Sequence, residues 1–168
     1  MLNIRISITK GLIILAGTVL MASCAQKEET YQLSSPDKNI QMHFSVDEGK
    51  PHYSIRYKGD TVVLPSRLGI DLDKGIQAGS SFEVTNTSKQ STDETWKPVW
   101  GIRSSYRNHY NELRVTLQQT GSPSLKLDLI FRAYDDGLAF RYHLPEQSNL
   151  SDFTITSEQT HFQFPEDH

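Results

Sequence analysis

The sequence is short of most things that would make its function obvious. It has one cysteine in 168 residues, so an internal disulfide is excluded and a thiolate metal cage cannot form. Its formal charge is only −3, with Lys and Arg scattered rather than clustered. No basic field exists to hold a phosphate backbone, and nucleic acid is excluded as a partner. No apolar run approaches the roughly 20 residues needed to cross a bilayer. Sustained helical periodicity is missing, as is any internal repeat of fixed length. There is no serine nucleophile elbow, no phosphate-cradling glycine loop and no CxxC.

The N-terminus is the first positive signal. Arg5 and Lys10 precede the uncharged run Gly11–Met21, which ends in Ala22 and Ser23 before Cys24. A basic start, a short apolar stretch and small residues at its end predict a secretory signal peptide over residues 1–23. The sole cysteine closes Leu20-Met21-Ala22-Ser23-Cys24, which resembles a bacterial lipobox. Acylation of Cys24 would make it the new N-terminus and hold the protein in the cell envelope, periplasm or outer membrane, through lipid alone. The alternative is ordinary cleavage after Ala25, since Ser23 and Ala25 are also small. Residues 24–30 read as a polar tether. The rest is long enough to bury roughly two thirds of its unfolded surface.

From residue 31 onward the pattern has period two. Ile40, Met42, Phe44 and Val46 alternate with polar residues, Asp47–Pro51 is turn chemistry, and Tyr53, Ile55 and Tyr57 resume the alternation. Lys58-Gly59-Asp60 turns into Val62-Val63-Leu64, and Leu68, Ile70 and Leu72 form the next set. Later, Leu113, Val115 and Leu117 are followed by Leu125, Leu127, Leu129 and Phe131, then Leu138, Phe140 and Tyr142. Phe82 with Val84, Phe153 with Ile155, and Phe162 with Phe164 complete the strand candidates. The polar stretch Asn86–Glu94 reads as a surface loop. Strands with one apolar face must bury those faces on one another, which predicts an all-β antiparallel sandwich over residues 31–168.

Candidate chemistry is sparse. Asp71 and Asp73 would face one way on a strand, roughly 6.6 Å apart, a separation of interest for a pair of glycosidase carboxylates. Their place beside a turn favours a structural role, as it does for Asp135 and Asp136 before Gly137. His43, His52, His109, His143, His161 and His168 show no ligand spacing. Asn108 and His109 between Tyr106 and Tyr110 could line a sugar site. The competing reading is that both tyrosines fill a sheet face or its rim. No catalytic residue and no metal ligand is assigned, and substrate-binding residues stay unknown.

Three stretches carry a resemblance: Leu33-Ser34-Ser35-Pro36-Asp37-Lys38-Asn39-Ile40, Arg107-Asn108-His109-Tyr110-Asn111-Glu112-Leu113, and Leu129 through Tyr142 with its core Tyr134-Asp135-Asp136-Gly137. Tyr53–Gly59 and Leu64–Gly69 also fit. In this order, behind a lipobox, they resemble the N-terminal domain of glycoside hydrolase family 97. Ile102, after Trp100-Gly101, stands where many relatives have a charged residue.

The resemblance implies a three-domain enzyme: an N-terminal β super-sandwich, a catalytic (β/α)8 barrel and a small C-terminal β domain. It implies α-glucosidase or α-galactosidase activity on α-linked oligosaccharides, a calcium requirement in the complete enzyme, and a Bacteroidetes lineage. The catalytic carboxylates would lie in the barrel, and the family's calcium-binding glutamate beyond His168. The sandwich is thus expected to be incomplete at its C-terminal end, without a cofactor of its own and inactive alone. Its expected partners are the barrel and, through the complete enzyme, the oligosaccharide. Two other readings compete: a free-standing carbohydrate-binding envelope lipoprotein, and a non-functional gene remnant.

Overall fold

A computed structural model of the chain describes residues 29–73, 77–121 and 124–166. The expected signal peptide, Cys24 and most of the tether lie outside the described residues, as does His168. Eleven strands follow in order: β1 (Tyr31–Ser34), β2 (Ile40–Asp47), β3 (Lys50–Tyr57), β4 (Asp60–Arg67), β5 (Ile70–Leu72), β6 (Gln77–Ala78), β7 (Phe82–Trp96), β8 (Tyr106–Gln119), β9 (Lys126–Tyr134), β10 (Gly137–His143) and β11 (Ile155–Glu158). Among the described residues there is no helix. The chain is all-β.

Two four-stranded antiparallel sheets, β1-β2-β3-β4 and β10-β9-β8-β7, lie face to face. Tight turns set their registers. Asp47 pairs with Lys50 and Tyr57 with Asp60. The two-residue loops between them put Glu48, Gly49, Lys58 and Gly59 at φ of 46°, 73°, 50° and 96°. Two consecutive positive φ values are the type I′ geometry whose twist matches the flanking strands. Gly49 is also fixed by space, since an added Cβ would lie 2.9 Å from Ser81 Cα.

The apolar faces read from the sequence meet in the middle. Met42, Phe44 and Tyr53 from one sheet face Leu113, Val115, Leu117, Leu127, Leu129 and Phe131 from the other, all nearly or fully buried. Phe44 and Phe131 touch across the sheets with ring centroids 5.7 Å apart, and Tyr53 meets Phe140 at 5.5 Å. Such tilted ring pairs add about 0.5–1.5 kcal/mol each beyond the area they bury.

A small third sheet, β11-β5-β6, adds Ile70, Leu72 and Ala78 to this core, and Leu68 joins them from the β4–β5 connection. Beyond β11 the chain stays hydrogen-bonded to the β4–β5 connection and to β4. Gln159 N donates to Gly69 O, His161 N to Arg67 O, and Leu64 N to Gln163 O. Phe162 and Phe164, expected on a strand, lie in or beside this bonded stretch, which carries no regular strand assignment.

One expectation is overturned. Asn86–Glu94 is not a loop but the middle of β7, paired residue for residue with β8 from Asn86↔Thr116 to Trp96↔Tyr106. Polarity misled because most of this strand has neither face on the core, so alternation had nothing to report. Its partner likewise starts at Tyr106, well before the apolar pattern resumes at Leu113.

Candidate functional site

β8 bonds to β9 only from Asn111 to Gln118, whereas its pairing with β7 continues to Tyr106. The pairs from Thr92↔Tyr110 to Trp96↔Tyr106 therefore leave the sheet as a two-stranded arm, about 15 Å long at roughly 3.4 Å per residue. Residues 97–105 form its tip.

The root of the arm gathers the three stretches that carry the family resemblance. Asn111 Nδ2 donates to Ser34 O at 2.8 Å, and Asp37 N donates to Asp135 Oδ1 at 2.9 Å. Glu112, 5% exposed, accepts from Arg132 Nε at 2.7 Å and from Gln90 Nε2 at 2.9 Å. The Arg132 guanidinium lies 4.4 Å from the centre of the Tyr110 ring, and Tyr110 packs on Tyr134 at 5.2 Å. Hydrogen bonding by Glu112 raises the pKa of Arg132, so its charge is secure at any ordinary pH. A buried carboxylate needs such a partner to stay ionised at tolerable cost.

Alternation sorts the arm into two faces. One carries Arg107, which grips Asp93 with two hydrogen bonds of 2.7 Å. Hydrogen bonding from Arg107 holds the Asp93 carboxyl below the usual carboxylate range. His109 shares this face, and its buried Nδ1 has no hydrogen-bond partner. The opposite face carries Trp96 stacked on Tyr106, with centroids 5.1 Å apart and planes at 20°, and next to them Asn108 Nδ2 donating to Glu94 Oε1 at 2.7 Å. Tyr106, Asn108 and Tyr110, read together as sugar-site candidates, do share a face, whereas His109 points the other way. Tyr110 is buried beneath Arg132, while Tyr106 extends the exposed part of the arm.

Among the described residues the tip carries the most water-exposed apolar side chains. Val99 and Ile102 are fully exposed and Trp100 is 88% exposed. Sequence reasoning could not find this patch, because isolated apolar residues among Lys97, Pro98 and Gly101 resemble any loop.

The other candidates stay apart. Asp71 accepts from Gln159 Nε2 at 2.9 Å and Asp73 from Thr154 N at 3.1 Å, so both tie down the segment around β11. His143 Nδ1 lies 3.0 Å from Asp128, which also accepts from Thr116 and Arg114. His52 Nδ1 meets Lys50 O. Burial, with a smaller contribution from Arg56, lowers the pKa of His43. Among the described residues no three His, Cys, Asp or Glu side chains converge on a cation position. The carboxylates of Asp37, Asp93 and Asp135 are engaged by the hydrogen bonds above or by Ser35 and Asn39. These residues do not fit a calcium ion.

The described residues form an all-β sandwich that carries a two-stranded arm. The sequence pattern described as glycosyl-hydrolase 97 N-terminal matches residues 33–168. The chain belongs to that family. It is 28% identical over 158 residues to a retaining alpha-galactosidase of Bacteroides thetaiotaomicron, a match covering 94% of this chain and 22% of that protein. A probable retaining alpha-galactosidase of Streptomyces bingchenggensis is 25% identical over 157 residues, 88% of this chain and 24% of that protein. Among solved structures, a glycoside hydrolase family 97 enzyme from Pseudoalteromonas sp. strain K8, in complex with acarbose, superposes with a TM-score of 0.77 at 33% identity. That match covers 80% of this chain and 20% of the other. A beta-arabinopyranosidase superposes at 0.72 with 32% identity, again over 80% of this chain and 21% of the other. The chain thus spans less than a quarter of the length of these relatives.

Proposed function

We propose that this chain is a non-catalytic N-terminal β-sandwich of a family 97 glycoside hydrolase. It serves an α-glucosidase or α-galactosidase by packing its arm against the catalytic barrel and helping to shape the cleft for α-linked oligosaccharides. The observation that carries this reading is the arm tip. Val99, Trp100 and Ile102 stand in water at the end of a braced two-stranded lever, and a contiguous apolar patch so displayed marks a contact surface. In this proposal the calcium implied by the resemblance belongs to the complete enzyme.

Export and anchoring through Cys24 belong to the same proposal and rest on the N-terminal sequence. The test of the main reading is hydrolysis. The purified chain should release no product from aryl α-glucosides or α-galactosides, with or without calcium. Clear turnover that follows the chain through purification would overturn it.

A further inference from the structure

We propose that the face of the arm bearing Trp96, Tyr106, Glu94 and Asn108 is a carbohydrate-contact strip. It would hold one glycosyl unit of a neutral oligosaccharide against Trp96 while Glu94 and Asn108 bind its hydroxyls. This inference rests on the reading above and adds the surface by which the sandwich touches substrate.

The chemistry of the two ends of the arm differs. The tip offers aliphatic side chains, Val99 and Ile102, which suit a protein surface. The stalk offers none on this face. It presents a stacked indole and phenol, with Trp96 still 52% exposed, and beside them a carboxylate and an amide. Flat aromatic surface covers the C–H face of a sugar ring, and a carboxylate and an amide side by side meet its hydroxyls.

The polar pair is set before any ligand arrives. Asn108 Nδ2 is committed to Glu94 Oε1, which leaves Glu94 Oε2 and Asn108 Oδ1 as acceptors and the second amide hydrogen as a donor. The pair lies two residues from Trp96 and Tyr106 along the strands, about 6.7 Å, a step comparable with the breadth of one pyranose ring. Below it, Tyr110 clamped by Arg132 and Glu112 fixes the strands, so little ordering is left for the ligand to impose. Charge selects the ligand class. Arg107 is on the opposite face and bound to Asp93, and the guanidinium nearest on this face, Arg132, lies over Tyr110 and is held by Glu112, so the charge offered beside Trp96 is the Glu94 carboxylate.

The chain supplies its own reporter, because Trp96 and Trp100 are its two tryptophans and both sit on the arm. Trp100→Phe leaves Trp96 as the single indole. Titration of this variant with panose and with raffinose, against sorbitol as control, should give a saturable change in emission for at least one sugar and none for sorbitol. Asn108→Ala and Glu94→Gln should each weaken that binding about tenfold, a loss of about 1.4 kcal/mol. Val62→Ser, on β4, should leave it unchanged. A folded chain whose Trp96 emission ignores both sugars would overturn the strip, as would binding that survives Asn108→Ala combined with Glu94→Gln. A chain that neither binds nor hydrolyses sinks the strip alone and leaves the docking reading standing. Hydrolysis by the isolated chain sinks that reading instead.

Discussion

Asp37 and Asp135 join the two sheets at the root of the arm: the backbone amide of the first donates to Oδ1 of the second at 2.9 Å. Ninety-eight residues of chain separate them, so this contact fixes the β1–β2 connection against the β9–β10 turn. Asp135 therefore does more than favour a turn. Asp135→Ala should lower stability to urea by about 1 kcal/mol, the usual worth of one such hydrogen bond. Asp136→Ala, at the neighbouring turn position, should change it by less than about 0.5 kcal/mol. Equal effects at the two sites would show that the cross-sheet bond contributes nothing of its own.

Glu112 and Arg132 make the second tie. Their side chains are 6% and 37% exposed, so the pair is only half withdrawn from water. Glu112→Leu removes the carboxylate partner of the arginine above Tyr110 and should cost about 1–3 kcal/mol, below the range for a fully buried pair. Because the pair braces the arm rather than the core, the local effect should be larger than the global one. Amide hydrogen exchange at residues 92–96 and 106–110 should quicken more than at residues 127–131. Uniform quickening across both sets would count against a bracing role.

Much of the sandwich was legible in the sequence, and the physical reason is one-sided burial. Met42 and Phe44 on β2, Tyr53 on β3, and Leu113, Val115 and Leu117 on β8 each alternate because one face of their strand meets the core while the other is more open. β7 was illegible for the converse reason. Its residues Thr85, Thr87, Thr92 and Thr95 hinted at strand through their branching, but with water on both sides no alternation could develop. Glu112 and Asp128 were hidden for a third reason. They occupy the outer face of their sheet, as the pattern requires, yet long arginine side chains cover them. The stacking of Trp96 on Tyr106 depends on a register across a loop, and no local signal in either strand announces it.

Tyr53 should make the fold sensitive to alkali. Burial, and secondarily the neighbouring Tyr142, push its hydroxyl up to about 12 from the usual 10.0, and it donates to His161 O at 3.0 Å. The folded state therefore keeps this proton after the unfolded chain has released it. The stabilising contribution is complete below pH 10 and declines as pH rises toward 12. Tyr31 and Tyr142 shift the same way. The urea midpoint should fall across that window, and Tyr53→Phe should shallow the fall without abolishing it. An unchanged slope in the variant would show that Tyr53 ionises as freely in the folded chain as in the unfolded one.

Cys24 gives a prediction that needs no structure. A bacterial host that processes lipoproteins should attach labelled fatty acid to the wild-type chain at Cys24. Cys24→Ala should abolish the label and release the protein from the membrane fraction. Label retained by the variant would place the modification elsewhere, and an unlabelled wild type cleaved after Ala25 would establish ordinary secretion.

The arm tip offers the last test. Val99, Trp100 and Ile102 touch so little of their own fold that replacing all three with serine should leave the melting temperature within a degree or two, as expected for surface changes. The same triple variant should remove a driving force for association. At high concentration the wild-type chain should sediment as a mixture of monomer and larger species, because an apolar patch without its partner finds copies of itself. The serine variant should move toward monomer. Beyond Phe82, the outer edge of β7 pairs with no strand among the described residues and is a rival source of association, since an unpaired strand edge can also recruit copies. The two are separable: edge pairing would survive the serine substitutions and yield to Thr87→Pro, whereas tip contacts would do the reverse. Association unchanged by the tip variant would remove the main support for a docking arm.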